Sequence, residues 1–130
     1  MTTSTPAAAA PVKLAMVTID CRDVGALATF YAELLGWEIT YQDDNAAMLS
    51  SGSGAALGLG ATEDYQPPSW PDAEGRKQFH LDLDVEDIPA AEERCLALGA
   101  TRPEHQPGGD KWRVLLDPAG HPFCHAVWNA

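Results

Sequence analysis

In the stretch "FHLDLDVED" (79–87), the residues able to do chemistry fall two apart, as His80, Asp82 and Asp84. Leu81, Leu83 and Val85 fill the positions between them. Alternation of this kind marks a strand with one polar and one apolar face. An imidazole and a carboxylate at i and i+2 on one face are neighbours, so Asp82 can orient His80 as a general base. A plain solvated strand would carry the same polar row, and so would a strand lining a ligand cavity. Cys124, in "LLDPAGHPFC" (115–124), is a third reactive group. As a thiolate it would be a nucleophile or a zinc ligand; as a thiol it is a small buried residue. His121 and His125 flank it. His121 falls at a turn, and a regular strand aims His125 at the face opposite Cys124, so neither is expected to meet His80.

The elements that would position these groups show themselves as an internal repeat. When "MVTIDCRDVGALATFYAELLGW" (16–37) is set above "HLDLDVEDIPAAEERCLALGA" (80–100), Met16 falls on His80, Thr18 on Asp82 and Asp23 on Asp87. Each copy reads as an alternating strand, a turn with Asp, and an amphipathic helix closed by glycine. In the first helix Leu27, Phe30, Tyr31, Leu34 and Leu35 recur at helical spacing, and Gly36 suits a left-handed terminus. In the second, Asp87 and Pro89 mark the start, Ile88, Ala91, Cys95 and Leu98 form the apolar stripe, and Gly99 ends it.

Downstream, "AMLSSGSGAALGLG" (47–60) has the strand–turn–strand shape of "VLLDPAGHPFCHAV" (114–127), which puts Gly58 on Cys124. "WEITYQD" (37–43) supplies a further strand. Its counterpart, "ATRPEHQPGGDKWRV" (100–114), is broken by Pro103, Pro107, Gly108 and Gly109. The resulting fold class is α+β, with two tandem βαβββ modules forming a curved mixed sheet around a cleft. The modules run over about 13–62 and 78–128, joined by a Pro-, Gly- and charge-rich linker, 63–77. Residues 1–12, "MTTSTPAAAAPV", read as a mobile tail ahead of one domain, 13–130. If the helices cover the Val17/Ile19 and Leu81/Leu83/Val85 faces, the opposite faces, with His80 and Asp82, line a groove.

A chain of 130 residues with 45 % apolar and 21 % charged residues fits one soluble domain with its own core. Eight Lys and Arg against 19 Asp and Glu give a net charge of −11. That field repels nucleic-acid phosphates and anionic membranes and favours a cationic small molecule. No apolar run is long enough to span a membrane, and the N-terminus lacks the pattern of a secretory signal. Three cysteines, Cys21, Cys95 and Cys124, make no disulfide framework, and a reducing cytoplasm is the expected compartment.

With these motifs in order, "DCRDVGALATFYAELLGWEI", "PPSWPD", "FHLDLDVEDIPAAEERCLALGA" and "LLDPAGHPFC", the chain resembles the vicinal oxygen chelate superfamily over residues 14–127. This is the glyoxalase, bleomycin-resistance and extradiol-dioxygenase group, and the likeness is to its small bacterial glyoxalase-like domains. The resemblance implies a cleft built from both modules and a homodimer. In the metal-dependent members it implies ligands at the positions of Met16, Gly58 (or Gly60), His80 and Cys124. Only His80 keeps a usual ligand of those enzymes: Met16 is a soft thioether, and a glycine has no side chain. His80, Asp82 and Cys124 are the one alternative set of donors. The expectation is therefore a protein that binds a small molecule between its modules without a catalytic metal or other cofactor. The alternative is a divalent-metal-dependent lyase, isomerase or dioxygenase of the same superfamily. Ligand contacts are expected from His80, Asp82, Met16, Thr18, Gly58 and Cys124. Trp70 and Trp112 are expected as walls, with Tyr65 a further candidate wall or lid and Trp128 in the core or an interface. No catalytic residue is assigned.

Overall fold

The computed structural model describes residues 13–74 and 78–128. Residues 1–12, where the tail is expected, lie outside this range, as do 75–77 of the linker and 129–130. The first module holds β1 (Met16–Cys21), α1 (Val24–Leu35), β2 (Glu38–Gln42), β3 (Ala46–Ser50) and β4 (Ala56–Ala61). The second holds β5 (Leu81–Asp84), α2 (Ile88–Ala97), β6 (Trp112–Leu116) and β7 (Pro122–Ala126). Both helices start for the reason their sequences announce. The Asp23 carboxylate accepts from the Ala26 amide at 3.0 Å, and Asp87 accepts from Ala90 at 3.4 Å, each satisfying a first-turn donor. Gly36, at φ 69°, closes α1 in the left-handed conformation that a side chain would resist.

The strands form two mixed sheets in the orders β1-β4-β3-β2 and β5-β7-β6. β1 lies parallel to β4 with Thr18 opposite Gly58, and β5 lies parallel to β7 with Asp82 opposite Cys124. The two halves therefore share one register, the one that sets Thr18 on Asp82 and Gly58 on Cys124. The second module lacks a counterpart of β2. Between α2 and β6 the chain makes a single bridge, Thr101 to Leu116. Pro103 and Pro107 donate no amide and Gly108 and Gly109 favour turning, so the ladder stops there.

A shared core joins the modules. Cys21, Leu27, Phe30, Tyr31, Leu49 and Leu59 of the first pack with Cys95, Leu115 and Phe123 of the second. Phe30 and Tyr31 both meet Phe123 edge-to-face, at 6.0 and 6.5 Å between centroids. Tyr31 Oη donates at 2.6 Å to the buried Asp117 carboxylate, whose other oxygen accepts from the Ala119 and His121 amides. The "DPAGH" turn is thus fastened to α1 of the opposite module. The helices do not cover all the apolar strand residues expected beneath them. α1 lies over β2, β3 and β4, and one helix is about 10 Å wide, roughly two strands. Val17, on the edge strand β1, is left 41 % exposed. Trp128 is 60 % exposed rather than part of the core; its indole N–H donates to the Leu83 carbonyl.

Candidate functional site

His80 sits at the junction of two hollows. One, of about 500 Å³, lies between the facing edge strands of the two sheets and is lined by Met16–Ile19, Tyr31, Phe79, Leu81, His121 and Pro122 as well as His80. The other, of about 310 Å³, lies in the second module, where His80, Pro122 and Cys124 form the floor. Trp70 and Pro71 of the linker and His105, Pro107 and Trp112 of the loop before β6 form its walls, with Asp72 and Gln78 at the rim. The Trp70 and His105 rings lie 5.8 Å apart, and the indole N–H donates to the His105 carbonyl at 3.4 Å. Trp112 lies flat over Gly108: a Cβ there would fall 2.3 Å from the indole, so only glycine lets the ring settle.

At the floor, His80 Nε2 stands 3.3 Å from Asp82 Oδ1, and Nδ1 stands 3.0 Å from the Gln78 carbonyl. A carbonyl only accepts, so Nδ1 carries the hydrogen. Cys124, opposite Asp82 in register, is almost wholly buried. Burial, followed by the negative charge of Asp82, pushes its thiol up to about 11. It is a thiol at neutral pH and has little nucleophilic character.

His80, Cys124, Trp70 and Trp112 therefore share the smaller hollow, with Asp82 beside the first two. Met16 and Thr18 line the larger one. Gly58 lies beneath them, since a Cβ on it would meet both Met16 Sδ and Thr18 Oγ1 at 2.7 Å. Two expectations change. Tyr65 is no wall of the His80 hollows: it is buried beside the hairpin turn, where its hydroxyl donates to the Ala119 carbonyl at 2.8 Å. His121, although in a turn, does line a hollow with His80, because that turn is pinned across the module boundary. Its Nε2–H donates to the Asp20 carbonyl at 2.6 Å. His125 points away from Cys124, into the layer beneath α2, as strand alternation requires. The sequence reading missed His105, Pro107, Gln78 and Pro122. An aromatic side chain in the Pro-Gly stretch before β6 was the available signal for His105.

The sequence profile of the glyoxalase-like domain matches residues 16–126, most of the chain. The protein belongs to this family. No curated protein matches its sequence. Among solved structures, a glyoxalase/bleomycin resistance protein/dioxygenase family enzyme from Burkholderia phytofirmans is similar, with 21 % identity and a TM-score of 0.65 over 89 % of this chain and 98 % of that one. A glyoxalase-related enzyme from Fulvimarina pelagi has 22 % identity and a TM-score of 0.63, covering 88 % and 87 %. The bleomycin resistance determinant encoded on transposon Tn5 has 24 % identity and a TM-score of 0.58, covering 92 % and 100 %. At these identities the likeness is one of fold.

In this glyoxalase-like domain, the positions that the resemblance matches to metal ligands are Met16 and Gly58 in the first module and His80 and Cys124 in the second. Gly58 offers no donor, and the room its side chain would need is occupied by Met16 and Thr18.

Proposed function

We propose that this glyoxalase-like domain binds a planar small molecule, neutral or cationic, between Trp70 and Trp112, without a metal held between the modules. One observation carries the reading: the smaller hollow sets two indoles and the His105 ring above a floor of His80 and Cys124. Its volume is near the lower end of ligand pockets, suited to a compact ring system. Among the described residues lining it, Asp72 is the charged one, and Asp82 lies beside the floor. Indole faces and carboxylates both attract cations. Cytoplasmic residence accompanies this reading, supported by three buried cysteines that remain free thiols. No helix among the described residues is long and apolar enough to cross a membrane.

The test is a thermal-shift panel run in chelator, pairing cationic heteroaromatic compounds with neutral and anionic isosteres. A cationic or neutral ring compound is expected to raise Tm, since a ligand at 100 times its Kd adds about 2.7 kcal/mol. Trp112→Ala should remove most of that shift. If only anionic compounds act, or none do, the reading fails.

A further inference from the structure

We infer that His80, Asp82 and Cys124 form a three-donor site for a divalent cation of the zinc type, held by the second module alone. One donor atom from each residue lies within 4.8 Å of the others. Backbone register places them so: Asp82 and Cys124 are partners on adjacent parallel strands, and His80 precedes Asp82 by two residues on the same face. In a tetrahedral zinc site, neighbouring N, O and S donors stand about 3.3–3.5 Å apart. The His80–Asp82 pair already has a spacing of 3.3 Å.

The hydrogen bonds fix which ring nitrogen faces the other donors. Because Nδ1–H is given to the Gln78 carbonyl, Nε2 is the ring nitrogen left on the side of the Asp82 carboxylate, where a ligating atom is needed. A backbone carbonyl holding the far nitrogen is the usual outer support of a metal-bound imidazole. A borderline-soft cation takes nitrogen, oxygen and sulfur donors together, and these three residues supply one of each. When the metal–sulfur bond forms, Cys124 releases its proton to water and His80 binds as the neutral base. His80 and Cys124 also line the Trp70/Trp112 hollow, so a metal held by them would adjoin the proposed ligand. The site stands apart from the binding reading, because either can hold without the other.

Cobalt(II) titration of the full chain after chelator treatment tests it. One cobalt per chain is expected, with a thiolate-to-cobalt charge-transfer band and tetrahedral visible bands that zinc(II) displaces. Cys124→Ser should abolish the charge-transfer band. Losing an outer support alone weakens metal sites 10–100-fold, so His80→Gln and Asp82→Asn should weaken binding by roughly tenfold or more. Met16→Leu should leave binding unchanged. Circular dichroism in chelator verifies the fold of each variant; if Cys124→Ser does not fold, Cys124→Ala and His80→Gln decide. Absence of the thiolate band, its survival in the folded Cys124 variant, or its loss in Met16→Leu would overturn the inference. Ring-compound binding in chelator is a separate readout, so either idea can fail alone.

Discussion

His125 is 1 % exposed, and neither of its ring nitrogens has a hydrogen-bond partner among the described residues. Burial holds its pKa below the usual 6.5; the Glu92 charge acts against this shift and the Arg113 charge adds to it. The folded chain therefore binds fewer protons at this position than the unfolded chain, and stability falls as pH drops below about 6.5. His125→Leu removes an unsatisfied buried group. It should raise stability at neutral pH by about 1 kcal/mol and flatten the loss below pH 6.5, as read by urea unfolding at several pH values. Tyr31 is the opposite case, its phenol engaged by a buried carboxylate across the module boundary. Tyr31→Phe should cost about 1.5–3 kcal/mol in the same experiment, because a charged acceptor loses its side-chain donor.

At the scale of elements, two glycines were fitted to the side chains opposite them. Gly108 has no left-handed backbone requirement, so alanine can occupy its conformation, yet the new methyl would lift the Trp112 ring. Gly108→Ala should thus leave the fold near its normal stability while weakening ring-compound binding about 3–10-fold, the worth of one aromatic contact. Isothermal titration of the variant beside the native chain would measure it. The elements themselves were mostly legible beforehand. Asp23 and Asp87 announced helix starts, Gly36 and Gly99 announced ends, and strand alternation put His125 opposite Cys124, because each signal depends only on local geometry. The loop before β6 was not. Its prolines said where a ladder must stop, but not that His105 would be carried against Trp70.

For the whole molecule, the edges of β1 and β5, unpaired among the described residues, and the charge of −11 bear on assembly and ligand choice. Leu14, Met16, Val17 and Phe79 are exposed apolar side chains on or beside these edges. We propose that a second copy covers them in a homodimer; sedimentation analysis should then show a dimer, and Val17→Lys should shift it to monomer. The acidic field predicts salt-dependent binding of a cation. Raising ionic strength from about 0.01 M to about 0.15 M shortens screening from about 30 to about 8 Å, so a cationic ligand's affinity should drop several-fold while a neutral isostere's stays level.

The chain's own pattern determined the duplication, the strand and helix in each half, and the equivalence of Thr18 with Asp82 and of Gly58 with Cys124. These are periodic features, and periodicity is written residue by residue. Tertiary structure alone decided which irregular segments converge. It put Trp70, His105 and Trp112 over one floor, drew His121 to Asp20, and left Val17 bare at a sheet edge. Such meetings depend on how two modules pack across Tyr31, Asp117 and Phe123, over separations in sequence that no local signal spans.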